Sequence, residues 1–364
     1  MLPHAIADLA VSVERLGTIL EPGGDPAEKE GVLNPACARS RDGALVLYPR
    51  DVAEGNISRV GLVRAKAGTN QLERVGFALE PEAAYEVRPN PGYGCEDPRV
   101  TFIAALDRYV MGYTAFGPDG PRIAVALSKD GISWERLGLL QFNRPGMHIG
   151  DDKDVAFFPD PVVSPAGVLS LALYHRPMLH LSAVDGRAAI PMIQSMPHED
   201  RESIRMAYIP FEPVRTDWSK LLDVAESVLV MSPDDRWGSL KLGCGTPPVR
   251  IAEGWMSLFH AVDVLDATAV KPKFRYSAGI MIHDAEHPHI IRYRSPEPVL
   301  KPETDAECKG IVDNVVFPTG IDPRPDLGER VFDVYYGMAD YMIGGARFTL
   351  GSSSESREPA ESAA

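Results

Sequence analysis

A recurring unit constrains this chain more than any single motif does. A loop rich in proline, glycine and acidic residues runs into a short strand-like stretch, and a hairpin follows. CEDPRVTFI precedes RYVMGYTAF, DKDVAFFPDPV precedes GVLSLALYHR, and GCGTPPVRI precedes GWMSLFHAV. VDNVVFPTGI precedes RVFDVYYGMAD, and LNPACARS precedes ALVLYPR at the front. Five such units, each of roughly 50–70 residues, predict an all-β, five-bladed β-propeller whose four-stranded sheets surround a central channel. The innermost strand of each blade would line that channel, so polar groups repeated at the blade entrances would converge on one pocket.

Strand-like segments fall at 44–48, 57–64, 100–103, 109–116, 122–128, 169–175, 206–209, 255–262, 276–282, 331–338 and 345–350, most of them alternating or β-branched and bounded by turn residues. Glycine and proline, at 32 each, suit many short strands joined by turns. Helical period is confined to the first twenty residues, with 218–230 ambiguous. The expected organisation is a partly helical N-terminal segment over 1–30, a catalytic propeller over 31–350, and a small polar tail over 351–364 that cannot order itself.

The 37 basic residues are outnumbered by 51 acidic ones, a net charge of −14, which argues against nucleic acid as a partner. Cys37, Cys95, Cys244 and Cys308 show no paired spacing, so they read as reduced thiols of a cytoplasmic protein. The first twenty residues lack the pattern of a secretory signal, and no apolar run approaches a membrane span. Assembly of identical copies is compatible with the chain.

Chemistry concentrates at Tyr93-Gly94-Cys95-Glu96-Asp97-Pro98-Arg99, two carboxylates between a glycine and a proline just before a strand. An ordinary turn would also explain it, with Asp97 capping the loop and Arg99 pairing with Glu96. Against the turn alone stands the recurrence of the design at Asp151-Asp152-Lys153-Asp154 and at Asp313-Asn314. A carboxylic acid in such a pocket can protonate a leaving glycosidic oxygen if its pKa is raised. Arg176, Lys241 and His260 form a second set. Each has a structural explanation singly, but three cations at equivalent blade positions in an acidic chain would make an anion pocket. GCGTPP lacks the ending of a phosphate-binding P-loop, and His283, His287 and His289 read as a turn rather than a metal site. Tyr93, Phe317 and Trp237 are candidates for stacking on sugar faces, with core packing at least as good an explanation for Phe317.

Taken together, CEDPR, the KD-x-x-x-FP of 153–159, YHRP, GCGTPP followed by GW…H, and VVFPTG with a late YG-x-AD resemble glycoside hydrolase family 130, the mannoside phosphorylases and related β-mannosidases. The resemblance runs from about Asn34 to Leu350. It implies a five-bladed propeller and an inverting reaction in which Asp97 is the sole general acid, acting through a hydroxyl of the bound mannose. It also implies phosphate binding by Arg176, Lys241 and His260 with help from Tyr276, and a grip on mannose by Asp340. Sugar contacts are further expected from Tyr93, Arg99, Asp154, Asp313 and Phe317. No metal or cofactor is expected; inorganic phosphate is the co-substrate and a mannoside oligosaccharide the substrate. An inverting hydrolase needs a second carboxylate to activate water, whereas phosphate is already an anionic nucleophile and needs cations instead. Retention of all three basic residues therefore favours reversible phosphorolysis, giving α-mannose 1-phosphate, over the alternatives of a β-mannosidase or a non-catalytic sugar-binding propeller. The segment 186–205 reads as long and irregular, placed to shape the acceptor end of the pocket or a subunit contact.

Overall fold

In the computed structural model, residues 6, 9–66, 69, 71–142, 147, 150–179 and 186–351 are described. The tail expected to be disordered lies outside them beyond Gly351. The described chain is all-β, as its patterning predicts, with short helical turns between strands.

Its strands form antiparallel meanders in sequence order. The first runs Gly31–Arg39, Leu45–Ala53, Ile57–Ala65, Leu72–Leu79, and the second Tyr93–Ile103, Arg108–Gly117, Gly120–Ser128, Glu135–Leu139. A short parallel pairing of Ile57 with Tyr93 and Ser58 with Gly94 joins these two. The third contains Asp152–Phe157, Leu169–Pro177, Ile204–Pro210 and Glu226–Met231, and the fourth Lys241–Cys244, Gly254–Asp266, Lys273–His283 and Ile291–Arg294. The last takes Val316–Pro323, Val331–Met338 and Met342–Leu350 from the end of the chain and Val11–Leu20 from its beginning.

Strand alternation explains how these sheets stack. Along Leu169–Pro177, Leu171 and Leu173 pack into a core shared with the second meander, through Val110 and Val125. Ala172 and Tyr174, facing the other way, pack into a core shared with the fourth, through Trp255 and Phe259. Side chains of successive residues leave a strand on opposite faces, so one apolar strand serves two interfaces. Further cores join the fourth meander to the fifth and the first to the second. Val32, Leu47 and Val63 meet Leu20, Tyr335 and Ile343 in one that joins the last meander to the first. First strands of different meanders touch directly: Thr101 Oγ1 donates to Phe157 O at 3.0 Å and Thr319 Oγ1 to Pro35 O at 2.9 Å.

Three expectations change. Among the described residues, helical character within 1–30 is limited to the 3-10 turn Pro26–Glu28, and Val11–Leu20 is a strand. Cross-strand pairing with Met342–Leu350 outweighs the local preference, and it binds the N-terminal segment into the last sheet. The segment 186–205 is not irregular throughout: it holds the helix Gly186–Ser195 despite Pro191 inside it. The ambiguous stretch 218–230 resolves into the 3-10 turn Trp218–Leu222 and the strand Glu226–Met231.

Candidate active site

Three of the first strands break their pairing where the sequence puts a polar motif. The register slips between Leu33 and Ala36, between Glu96 and Arg99, and between Lys153 and Ala156. Within each slip one residue is left-handed, with φ of 43° at Asn34, 47° at Asp97 and 61° at Asp154. Asparagine and aspartate are the side chains that tolerate this conformation best. A bulge re-aims the side chain out of strict alternation, so these groups meet polar partners instead of an apolar interface.

Around Asp97, Asn34 Nδ2 donates to Oδ1 at 2.8 Å and Arg50 Nη1 donates to the same oxygen at 3.2 Å. Arg50 Nη2 and Lys153 Nζ each donate to Glu96 at 2.9 Å. Gly337 belongs to this contact, because a Cβ there would stand 2.0 Å from Asn34 Oδ1. Asp340 follows in a tight turn with Ala339, both left-handed. Burial, with Asp97 and Glu96, pushes the Asp340 carboxyl up to about 6 against the opposing charges of Arg50 and Lys153. Burial also acts to raise Asp97, but Arg50, Lys153, Arg99 and the Asn34 hydrogen bond outweigh it and hold that carboxyl below the ordinary range. The raised pKa expected for the acid of the CEDPR motif is therefore found on its neighbour.

The second cluster centres on Asp154. Arg176 Nε donates to Oδ2 at 2.5 Å, His260 Nε2 lies 3.5 Å from the same oxygen, and Arg99 Nη2 lies 3.7 Å from Oδ1. Arg176 Nη1 also pairs with Glu202. Lys241 Nζ stands 5.6 Å from the centre of the Tyr276 ring. Tyr276 and then Glu202 raise the Lys241 pKa against burial and the Arg176 charge. Phe317 packs on His260 with ring centres 4.2 Å apart and is itself only partly buried. Gly243 makes the cluster possible: a Cβ there would come within 2.1 Å of Asp154 Oδ2 and 2.4 Å of His260 Nε2.

Arg176, Lys241, His260, Tyr276 and Phe317 thus come together as the sequence suggests. His260 does not join them as a cation. Burial lowers its pKa to about 3, helped by Arg176, Arg99 and Lys241 and opposed by Asp154, so its ring is neutral.

Arg99 changes role. It is 1% exposed and donates to Gly245 O, Cys244 O and Asp97 O, each at 3.0 Å. It braces the two clusters against each other, while Glu96 takes Arg50 and Lys153 instead. Asp154, 1% exposed, likewise holds Arg176. Asp313 is exposed and accepts from the Gly310 amide at 3.4 Å, although the next residue's carbonyl accepts from Tyr276 N. Trp237 is core, stacked on Phe259 with Nε1 donating to Ser295 O. Tyr93 is partly buried beside Asn56, whose side chain accepts from Arg50.

Sequence reasoning missed Asn34, Arg50 and Glu202, and left Lys153 without a role. A signal for Arg50 existed. It pairs with Leu33, just before the Asn34 bulge, as Arg176 pairs with Lys153 just before the Asp154 bulge. LYPR and LYHR are the same strand segment in two units.

A family model described as β-1,4-mannooligosaccharide phosphorylase, that of glycoside hydrolase family 130, matches residues 24–352. A 1,2-β-oligomannan phosphorylase of Thermoanaerobacter sp. (strain X514) is 29% identical over 291 residues, covering 79% of this chain and 77% of that protein. A β-1,4-mannooligosaccharide phosphorylase of Ruminococcus albus is 36% identical over 121 residues, 33% of this chain and 34% of its own length. Among solved structures, a β-1,2-mannobiose phosphorylase from Listeria innocua in complex with β-1,2-mannobiose superposes with a TM-score of 0.67 at 21% identity, covering 93% of this chain and 97% of that one. At that identity the likeness concerns the fold.

Proposed function

The chain belongs to glycoside hydrolase family 130, and from that premise we propose that it is an inverting phosphorylase of β-mannosides built on a five-bladed propeller. Stacked four-stranded meanders with a core between the last and the first support the propeller reading. The observation that carries the activity is the convergence of Arg176, Lys241 and the neutral His260 beside Phe317, one arginine away from Asp97. Phosphate held there needs no base. One of its oxygens bonds to the anomeric carbon from the face opposite the leaving group, and the bond from that carbon to the bridging oxygen breaks. A proton ends on the departing acceptor hydroxyl, giving α-mannose 1-phosphate and a shortened acceptor. Fixed cations stabilise the charge as it develops, and fixed geometry supplies the in-line approach.

We assign the proton to Asp97 and Asp340 as a pair, because interacting carboxylates titrate together. Asp340 is the member that keeps a proton up to about pH 6. Asp97, on which the family's acid falls, passes it to the leaving oxygen through a mannose hydroxyl. Four free thiols suit a cytoplasmic enzyme. Among the described residues no helix is long and apolar enough to cross a membrane.

The test is turnover of β-mannosides with and without inorganic phosphate. Release of mannose at the same rate without phosphate would replace this reading with hydrolysis. Reverse synthesis from α-mannose 1-phosphate with a panel of acceptor sugars then reads the linkage and the acceptor.

A further inference from the structure

The anion seat contains a carboxylate that phosphorolysis does not require. Glu202 leaves the segment after the helix Gly186–Ser195 and enters the seat, where one oxygen takes Arg176 Nη1 and the other accepts from Leu179 N at 3.3 Å. It is not a loose rim charge. Its carbonyl accepts from Leu242 N at 3.0 Å, and the preceding Arg201 donates to Met196, Gln194 and Ser239 carbonyls. Its side chain is 13% exposed, against 6% for Arg176, 2% for Asp154 and 1% for His260, so it is the most accessible of the four.

The charges matter. Arg176, Lys241 and Arg99 face the carboxylates of Asp154 and Glu202, and His260 is neutral. An anion that offers only lone pairs makes an unfavourable contact at Glu202, because an ionised carboxylate can only accept hydrogen bonds. An oxyanion that still carries a proton can satisfy it. Inorganic phosphate keeps at least one proton at neutral pH, whereas sulfate keeps none.

We propose that Glu202 determines the specificity of the anion seat: its carboxylate accepts a hydrogen bond from the protonated oxygen of phosphate held by Arg176 and Lys241, and repels sulfate of the same shape. This rests on the phosphorolysis reading for the identity of the ion. It adds a repulsive element against the wrong ligand to the attractive cations, the usual route to discrimination between near-isosteres.

The experiment titrates inorganic phosphate and sulfate separately into the full-length protein and its Glu202→Gln and Glu202→Ala variants by calorimetry, with turnover assayed in parallel. In the wild type, phosphate binds at least about tenfold more tightly than sulfate, the difference of one hydrogen bond to a charged group. In Glu202→Gln that preference collapses by about tenfold, mainly because sulfate binds better and begins to inhibit turnover. Glu202→Ala, which removes the carboxylate without an amide, gives the same direction. An unchanged preference in both variants overturns the role of Glu202 while phosphate-dependent turnover stands. A wild type that binds neither ion overturns the inference and the phosphorolysis reading together.

Discussion

Arg50 Nη1 lies 3.2 Å from Asp97 Oδ1, and the other end of the same guanidinium lies 2.9 Å from Glu96. One side chain from the neighbouring meander therefore holds both acids of the CEDPR motif. Arg50 is also the largest of the influences that lower the Asp97 pKa against burial. Replacing it by a neutral residue of similar length, Arg50→Met, raises that pKa, and the alkaline limb of the kcat/KM profile moves up by about one unit or more. A limb that stays in place contradicts the pairing as the cause.

Asp97→Asn keeps the shape and the Asn34 contact region but removes the proton carrier. Turnover should fall by about 10²–10⁴-fold, the usual worth of positioned acid catalysis, with oligosaccharide binding retained. Survival of near-wild-type turnover would move the acid elsewhere, with Asp340 the first candidate.

Asp340 has the opposite pH signature to an ordinary surface acid. Its pKa rises from 3.8 to about 6 on folding, so the folded state binds this proton more tightly than the unfolded chain. That contribution is complete below 3.8 and disappears as pH climbs through about 6. Asp340→Asn should therefore be more stable than wild type above about pH 7, by about 1–2 kcal/mol, with the gap closing as pH falls toward 4. Melting curves across that range check it; an asparagine variant less stable at pH 7 would reverse the sign.

Arg176→Ala removes the ion that Asp154 and Glu202 share. The KM for phosphate should rise about ten- to a hundredfold, as for one lost charged contact. Stability should also drop by about 3–5 kcal/mol, because a buried carboxylate is left without its partner. Phosphate dependence measured on folded protein separates the two effects, and an unchanged KM would remove Arg176 from the anion seat.

Gly243→Ala is a purely steric probe. The added methyl would overlap Asp154 and His260, both buried and both fixed by partners. Loss of phosphate-dependent turnover with an intact sheet signal in circular dichroism is expected; full activity would mean that the seat yields more easily than its packing implies.

The all-β character was legible because strand patterning and turn chemistry are local, and so was the gathering of Arg176, Lys241 and His260, although His260 falls inside the strand Gly254–Asp266 and does not end it. What was not legible depends on contacts between distant segments. VSVERLGTIL reads as helical until Leu350 stands opposite Val11. Arg99 looks like a partner for Glu96 until the carbonyls of Cys244 and Gly245 claim its donors. The charge of His260 could not be read from LFH, since burial among Arg176, Arg99 and Lys241 is what neutralises it. Glu202 lies in a segment without strand alternation, so nothing in its neighbours points it at Arg176.

The pairing of Val11–Leu20 with Met342–Leu350 also bears on synthesis. During translation the strand Val11–Leu20 must wait for this partner until the roughly three hundred residues between them have been made. Few contacts are more distant along a chain of this length, and closing so large a loop is slow. The last sheet is thus completed late, and until then its edge is a place where a second nascent copy can add a strand.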